Sequence, residues 1–291
     1  MKGNWSWDQR DLTELLSLEK TANTTWQSYA CDTNANGRVY AGQLLGQALW
    51  AAAQSVDSRS PVMLQMTFLQ GARPQESIEY SVETLQDGRR ISSRHIYGVQ
   101  GTGLVMSANA SFQAPAAGPD DTHRSTRQVP DPESLATLSE LAPRFRAQGE
   151  SLQLRASARP LLDIRLINPA VCFDPAAGRG EVAYWMRLDQ PLTSEGCLHH
   201  AALAYMSDSW LSNNVCSRGL LDAPWKHYVS NLNHSLWFHC PDLDVTQWLL
   251  FVDDGVRSVS GRSLAMATVY DRDGRLVASV ARDLLVSPHA A

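Results

Sequence analysis

The sequence has little of what marks a nucleic-acid-binding, disulfide-stabilised or metal-binding protein. Acidic residues outnumber basic ones and the formal net charge is −5, so the chain lacks the positive footprint that nucleic acids and anionic membrane surfaces attract. The five cysteines are scattered and never spaced as Cys-x-x-Cys. This pattern predicts reduced thiols, with no disulfide framework and no zinc site. No metal or organic cofactor is expected.

Long hydrophobic runs are also missing. The N-terminus opens on an amphipathic segment containing acidic residues, without a basic stretch followed by an apolar run, so we expect no signal peptide and a cytoplasmic protein. Two stretches, 39–53 and 198–211, are nearly apolar but too short to cross a bilayer. With 291 residues, the chain can form two domains with real hydrophobic cores.

Both apolar stretches are predicted to be buried helices. In 39–53, Ala, Leu and Gln favour helix, and Gly42 and Gly46 permit close packing. In 198–211 the apolar side chains leave no polar stripe, as in a helix buried inside its domain. This second stretch carries one carboxylate, Asp208, and burial of an unpaired charge is costly. Asp208 must therefore be paired within the structure or used in chemistry.

Strands accompany each apolar helix in a pattern that occurs twice. A short helix at 11–20, with Asp8 or Asp11 as its N-cap, precedes them. The predicted strands are 24–29, 62–69, 78–86, 91–100 and 104–113, then 161–167, 181–188, 232–239, 248–260, 263–271 and 275–286. When the sequences of the two halves are aligned, they share strand order and turn position, and Arg94 aligns with Arg262.

Two antiparallel sheets, each wrapped round a central apolar helix, form an α+β double hotdog. We expect an N-terminal hotdog at 1–113, a linker at 114–160 and a C-terminal hotdog at 161–291 that carries the active site.

Five stretches carry a resemblance to a known family: GRVYAGQLLGQALWAA (37–52), VETLQDGRRISSR (82–94), ASFQAPAAG (110–118), YMSD (205–208) and NHSLWFHCPDLDVTQWLL (233–250). Together they resemble the acyl-CoA thioesterase II family, which has the double-hotdog fold. The resemblance implies a cofactor-free thioesterase that hydrolyses acyl thioesters with a water held by an Asp, a Thr and a Gln. Carried over to this sequence, the three positions fall on Asp208, Asn231 and Arg282, so the chain departs from the pattern at the last two.

The three positions offer different chemistry. A sheltered carboxylate can deprotonate a water for attack on a thioester carbonyl, which is the role predicted for Asp208, and Asn231 can hydrogen-bond the same water. If Arg282 pairs with Asp208, the carboxylate pKa falls by about 1 to 3 units and the base weakens. If Arg282 instead faces the substrate, it stabilises an oxyanion or binds a carboxylate on the acyl chain. Each position can also be purely structural, Arg282 as part of an ion pair.

Other functions remain open. The chain could bind acyl thioesters, carried by coenzyme A or an acyl carrier protein, without hydrolysing them, or catalyse a non-hydrolytic step on them in a biosynthetic pathway. It could also be a non-enzymatic scaffold. His234 and His239 face opposite sides of a strand, which argues against a metal, and Asp253 and Asp254 are expected in a solvated turn. Exposed sheet edges favour a homodimer, and no nucleic-acid or membrane partner is expected.

Overall fold

The structure is a computed structural model that describes residues 7–34, 36–118, 124–141, 143–144, 159–173, 181–193, 197–209 and 227–288. It divides into two compact units that do not follow the order of the chain. The first unit contains the described residues of 1–121, 192–209 and 231–243, and the second contains those of 122–191, 210–230 and 244–291.

The elements of the described chain are antiparallel strands with a few short helices. The helices are α1 (Leu12–Leu16), α2 (Ala41–Ala53), α3 (Leu138–Leu141), α4 (Pro169–Phe173) and α5 (Leu198–Ser207), with a 3-10 turn at Pro132–Ser134. The strands are β1 (Glu19–Ala22), β2 (Thr25–Gln27), β3 (Ser60–Phe68), β4 (Glu79–Asp87), β5 (Ile91–Gln100), β6 (Gly103–Gln113), β7 (Leu162–Leu166), β8 (Val182–Leu188), β9 (His227–Phe238), β10 (Leu249–Val259), β11 (Arg262–Tyr270) and β12 (Leu276–Pro288).

The first unit is a sheet that packs against both apolar helices. Its strand order is β1-β2-β4-β5-β6-β3-β9, with every neighbouring pair antiparallel. Every second residue of β5 is buried, because successive side chains of a strand point to opposite faces. Helix α2 packs against β3 to β6 and also against α5.

Glycines allow α2 and α5 to approach closely, as the sequence predicts. A Cβ atom on Gly42 would lie 2.4 Å from the carbonyl oxygen of Tyr205, and one on Gly46 would lie 2.9 Å from that of Ala201. The hydroxyl of Tyr40 donates to the same Tyr205 oxygen at 3.2 Å. Within the described residues, no helix has the length and apolar character needed to span a membrane.

The two buried glutamines of α2 find partners inside the first unit. Gln43 accepts the backbone N–H of Asp32 at 2.8 Å, and the amide of Gln47 donates to the carbonyl of Leu15 at 2.6 Å. The hydroxyl of Tyr80 donates to Gln47 at 2.7 Å. These bonds satisfy the polar groups of an otherwise apolar helix, which would be costly to bury unpaired.

The second unit is a five-stranded sheet in the order β12-β11-β10-β8-β7. One face holds a cluster of buried side chains, among them Trp185 and Trp248. Part of the segment predicted as a linker packs there, because the indole N–H groups of Trp185 and Trp248 donate to the carbonyl of Pro130 at 3.0 Å and to the carboxylate of Glu133 at 2.9 Å. The limits of the two hotdog repeats and of the linker remain predictions.

The predicted solvated turn at Asp253 is wrong. Strand β10 continues to Val259, Asp253 is 2% exposed, and the hairpin turns at Ser260 and Gly261, both with positive φ. That conformation suits a tight two-residue hairpin loop. The misplaced turn also explains why the predicted pairing of two arginines fails, since Arg94 is 3% exposed whereas the Arg262 side chain is 65% exposed.

The predicted helix at 11–20 is too long. Asp11 caps α1 by accepting the backbone N–H of Thr13 at 2.8 Å, but α1 ends at Leu16 and β1 follows. All four residues of β1 are exposed, so the segment has no alternating apolar pattern by which a strand is recognised. The end of the second predicted helix, 210–211, lies outside the described residues.

Gly42→Ala tests the close helix packing. In an ordinary helix this change stabilises by about 1 kcal/mol, but here the new methyl group meets a backbone oxygen, and overpacking costs about 1–3 kcal/mol. We expect a lower free energy of unfolding in urea. Gly118→Ala, where an added Cβ meets nothing within 4 Å, should be neutral; equal effects of the two changes would contradict the packing argument.

Candidate active site

Asp208 lies immediately after α5, as the C-cap residue of that helix. It is 4% exposed. The negative end of the helix dipole lies here, so the helix itself does not stabilise the charge on the carboxylate. Hydrogen-bond donors from elsewhere in the fold must do so.

Strand β9 supplies one such donor. The side-chain amide of Asn231 donates to Oδ1 of Asp208 at 3.0 Å, across 23 positions of sequence. Pairing of β9 with β3, where His234 lies opposite Met66, fixes the strand that carries the amide. Two of the three predicted site residues are therefore in direct contact.

Two neighbours of Asp208 were not predicted as site residues. His234 is completely buried, and its Nδ1 lies 3.8 Å from Oδ1 of Asp208. Its Nε2 lies 3.0 Å from the hydroxyl of Ser207, which belongs to the last turn of α5. In the sequence His234 could be weighed only as a possible metal ligand, because nothing in its spacing indicates a contact with a residue 26 positions earlier.

Arg282, the third predicted residue, belongs to the second unit, where it is 4% exposed on β12. It lies opposite Ala265 on β11. Asp253 lies opposite Ala267 on the same strand, and residues two apart on a strand share a face. Arg282 and Asp253 therefore project from the same buried face of this sheet.

The charges of Asp253 and Arg282 both affect the pKa of Tyr184, which lies on a neighbouring strand. It lies opposite Phe251, two residues before Asp253, and stacks on the Phe251 ring at 5.2 Å between centroids. Burial raises the pKa of Tyr184 well above its usual range; the Asp253 charge raises it further, while the Arg282 charge lowers it. A carboxylate and a guanidinium thus act on one phenol. Both alternatives for Arg282 that the sequence leaves open, pairing with Asp208 and facing the substrate, remain predictions.

A cavity of the second unit and the thiols of Cys31 and Cys197 do not offer a competing centre. A cavity of about 380 Å³ in the second unit is lined by residues of 125–132 and 271–274 with Trp185 and Leu250, and by none of the predicted site residues. Burial raises the pKa of the thiols of Cys31 and Cys197 to about 11. A thiol with that pKa is almost entirely protonated at neutral pH and is a poor nucleophile.

The cluster around Asp208 has the parts of a general base. A buried carboxylate with one oxygen held by an amide can accept a proton from a water. The amide donor orients the carboxylate without adding a charge that would weaken it as a base.

Comparison with known proteins gives matches over most of the chain. Residues 31–113 match the model for the acyl-CoA thioesterase N-terminal domain, and residues 125–286 match that for the acyl-CoA thioesterase C-terminal domain. Acyl-CoA thioesterase 2 of Haemophilus influenzae is 27% identical over 285 residues, covering 95% of this chain and 96% of that protein. Acyl-coenzyme A thioesterase 8 of Mus musculus is 26% identical over 296 residues, covering 97% and 91%.

Solved structures confirm the predicted fold. Acyl-CoA thioesterase II TesB2 from Mycobacterium marinum superposes with a TM-score of 0.78 at 24% identity, covering 96% of this chain and 99% of that chain. A protein from Alicyclobacillus acidocaldarius described as having a hot dog fold superposes with a TM-score of 0.75 at 20% identity, covering 94% and 97%. The α+β double hotdog predicted from the sequence is the architecture found.

A double-mutant cycle tests the contact between Asp208 and Asn231. Removing the amide leaves a buried carboxylate short of a donor, so Asn231→Ala should destabilise the wild type more than it destabilises the Asp208→Ala variant, which has no acceptor at this position. We expect a coupling energy of about 0.5–3 kcal/mol from urea unfolding. The same cycle with Asn233→Ala, at an exposed position of β9, should show no coupling; strict additivity at Asn231 would contradict the contact.

Proposed function

Because this chain belongs to the acyl-CoA thioesterase family, we propose that it hydrolyses acyl-CoA thioesters with a water activated by Asp208. The observation that carries this proposal is the buried carboxylate at the end of α5, with one oxygen held by the Asn231 amide. Both named relatives are thioesterases, so the alternative of binding without hydrolysis, or of a non-hydrolytic step, is not favoured.

One base is enough for the whole reaction, because Asp208 takes one proton from water and later returns one proton to the leaving group. Asp208 takes a proton from a water, and the water oxygen bonds to the thioester carbonyl carbon, whose π electrons move onto the carbonyl oxygen. When this intermediate collapses, the C–S bond breaks and the leaving thiolate recovers the proton from Asp208. The products are a free acid and coenzyme A, and Asp208 returns to its charged state. Asn231 orients the carboxylate and the water.

In the proposed enzyme Arg282 neither pairs with Asp208 nor faces the substrate, but pairs with Asp253. Asp253 projects from the same buried face as Arg282, and the two charges shift the pKa of Tyr184 in opposite directions. We propose that Arg282 and Asp253 neutralise each other inside the second unit. A guanidinium balanced in this way does not weaken Asp208 as a base, so hydrolysis is compatible with an arginine at this position.

The setting of the enzyme is proposed on sequence grounds. We propose a cytoplasmic enzyme of fatty acid metabolism that forms a homodimer and needs no cofactor. The acyl group is carried by coenzyme A, with an acyl carrier protein as the second candidate. Gel filtration with light scattering tests the dimer, and parallel assays with both carriers test the substrate.

Asp208→Asn tests the proposed base. The amide has nearly the shape of the carboxylate but cannot accept a proton, so kcat should fall by about 10²- to 10⁴-fold with KM little changed. The assay is release of free thiol from a panel of acyl-CoA substrates. Asp242→Asn, at an exposed position, is the matched control. Full activity of Asp208→Asn would refute the mechanism, and no thiol release by the wild type from any substrate would refute the function.

Arg282→Gln tests the charge balance in the second unit. Breaking a buried ion pair leaves a buried charge and costs about 3–5 kcal/mol, so this variant should unfold at lower urea concentration. Adding Asp253→Asn should recover part of the loss, because it removes the stranded charge. Arg262→Gln, at an exposed side chain, should not couple to Asp253→Asn; additive effects for Arg282 would contradict the pairing.

A further inference from the structure

We propose that His234 is a positioning residue for Asp208, held by Ser207 in the tautomer that lets it accept a hydrogen bond from Asp208 once Asp208 has taken a proton from water. The inference rests on the proposed function and adds a residue to its mechanism. His234 is completely buried beside a carboxylate, and thioester hydrolysis by Asp208 and Asn231 alone gives it no role.

Ser207 lies where it can determine which ring nitrogen of His234 carries the hydrogen. A serine hydroxyl has one proton, and the Ser207 oxygen lies 2.8 Å from the carbonyl oxygen of Ala204, which can only accept, and 3.0 Å from Nε2 of His234. In the proposed arrangement the hydroxyl donates to the carbonyl oxygen, the nearer of the two atoms, and Nε2–H donates to the Ser207 oxygen. In the neutral ring Nδ1 is then left without a hydrogen.

Nδ1 is the nitrogen that faces the proposed base. It lies 3.8 Å from Oδ1 of Asp208, about 1 Å longer than a hydrogen bond. Two acceptor atoms facing each other do not attract while Asp208 is ionised. Once Asp208 is protonated, its O–H can donate to Nδ1, and a small movement closes the distance, as catalytic hydrogen bonds often tighten only during reaction.

A hydrogen bond to Nδ1 of His234 stabilises the protonated form of Asp208, which exists after the proton has left the water. The proton removed from water sits on Oδ1 and is shared with Nδ1, while the water oxygen bonds to the carbonyl carbon. When the C–S bond breaks, the thiolate takes this proton and the pair returns to a carboxylate and a neutral imidazole. His234 therefore favours the protonated form of Asp208 in the transition state without touching the substrate.

Variants of His234 and Ser207 separate this role from packing. His234→Gln keeps a donor that can reach Ser207 but has no atom equivalent to Nδ1, so kcat should fall by roughly 100-fold, the low end for a group assisting proton transfer, with KM unchanged. Ser207→Ala keeps the ring but releases its tautomer, so kcat should fall by a smaller factor with KM again unchanged.

His200→Gln is the matched control. Like His234, His200 is a buried histidine, 3% exposed, but it lies on α5. Its Nε2 lies 3.0 Å from the carbonyl oxygen of Cys240. The same substitution there should leave both kcat and KM unchanged. Urea unfolding of every variant shows whether a loss of kcat accompanies a loss of folding.

A spectroscopic measurement tests the tautomer without relying on activity. In protein labelled with ¹³C and ¹⁵N, the ring signals of His234, assigned by correlation to the backbone of the wild-type chain, should show a protonated Nε2 and an unprotonated Nδ1 at neutral pH. Ser207→Ala should shift them towards a mixture of the two tautomers. If His234→Gln does not fold, these spectra of the wild type and of Ser207→Ala carry the test.

The outcomes distinguish this inference from the proposed function. A wild-type His234 with its hydrogen on Nδ1, or a folded His234→Gln whose kcat is within twofold of wild type or whose defect is confined to KM, would overturn the role of His234 while leaving Asp208 as the base. Loss of activity in Asp208→Asn but not in His234→Gln is that case. No thiol release by the wild type would refute the function, and the spectra would still decide the tautomer.

Discussion

A carboxylate removed from water must receive hydrogen bonds or give up its charge, and Asp208 is under that constraint at the negative end of a buried helix. The structure answers with an amide on one oxygen and an imidazole behind it. Neither neighbour carries a fixed positive charge, which would stabilise the ionised carboxylate and so make it a weaker base. The same surroundings that make the carboxylate tolerable in the interior leave it able to accept a proton.

The packing of two helices places that carboxylate. Gly42 and Gly46 let α2 lie against the backbone of α5, and the Tyr205 hydroxyl donates to the buried Asp32 carboxylate at 2.8 Å, tying α5 to the loop that precedes α2. Asp208 follows three residues later. A close contact of backbones and a buried hydrogen bond thus determine where the end of α5 that carries Asp208 lies within the first unit.

Much of the fold follows from patterns that the sequence displays openly. Strong alternation or an apolar run predicts eleven of the twelve described strands: ten agree within about two residues at both ends, and the predicted β9 begins five residues late. Both apolar helices are also predicted. Strand β1 was missed because all its residues are exposed, and Asp253 was misplaced because both faces of its strand are buried. Alternation cannot separate the two faces of such a strand.

The site was predicted less completely, for a physical reason. Asp208 stood out as the one acid of an apolar helix, but contacts between Asp208 and residues of β9 depend on how that strand pairs with β3, which no local spacing encodes. Only the resemblance to a family indicates Asn231, and nothing in the sequence indicates that His234 is a neighbour of Asp208. The contacts of Ser207 with Ala204 and His234, on which the proposed tautomer depends, appear only in the three-dimensional structure.

Rapid-quench mass spectrometry of the intact protein during a single turnover distinguishes Asp208 acting as a base from Asp208 acting as a nucleophile. With enzyme in excess over acyl-CoA, we expect free acid to accumulate while the mass of the protein stays unchanged at every time point. A transient acyl adduct on the peptide that carries Asp208, formed and lost at the rate of turnover, would contradict the role of Asp208 as a base.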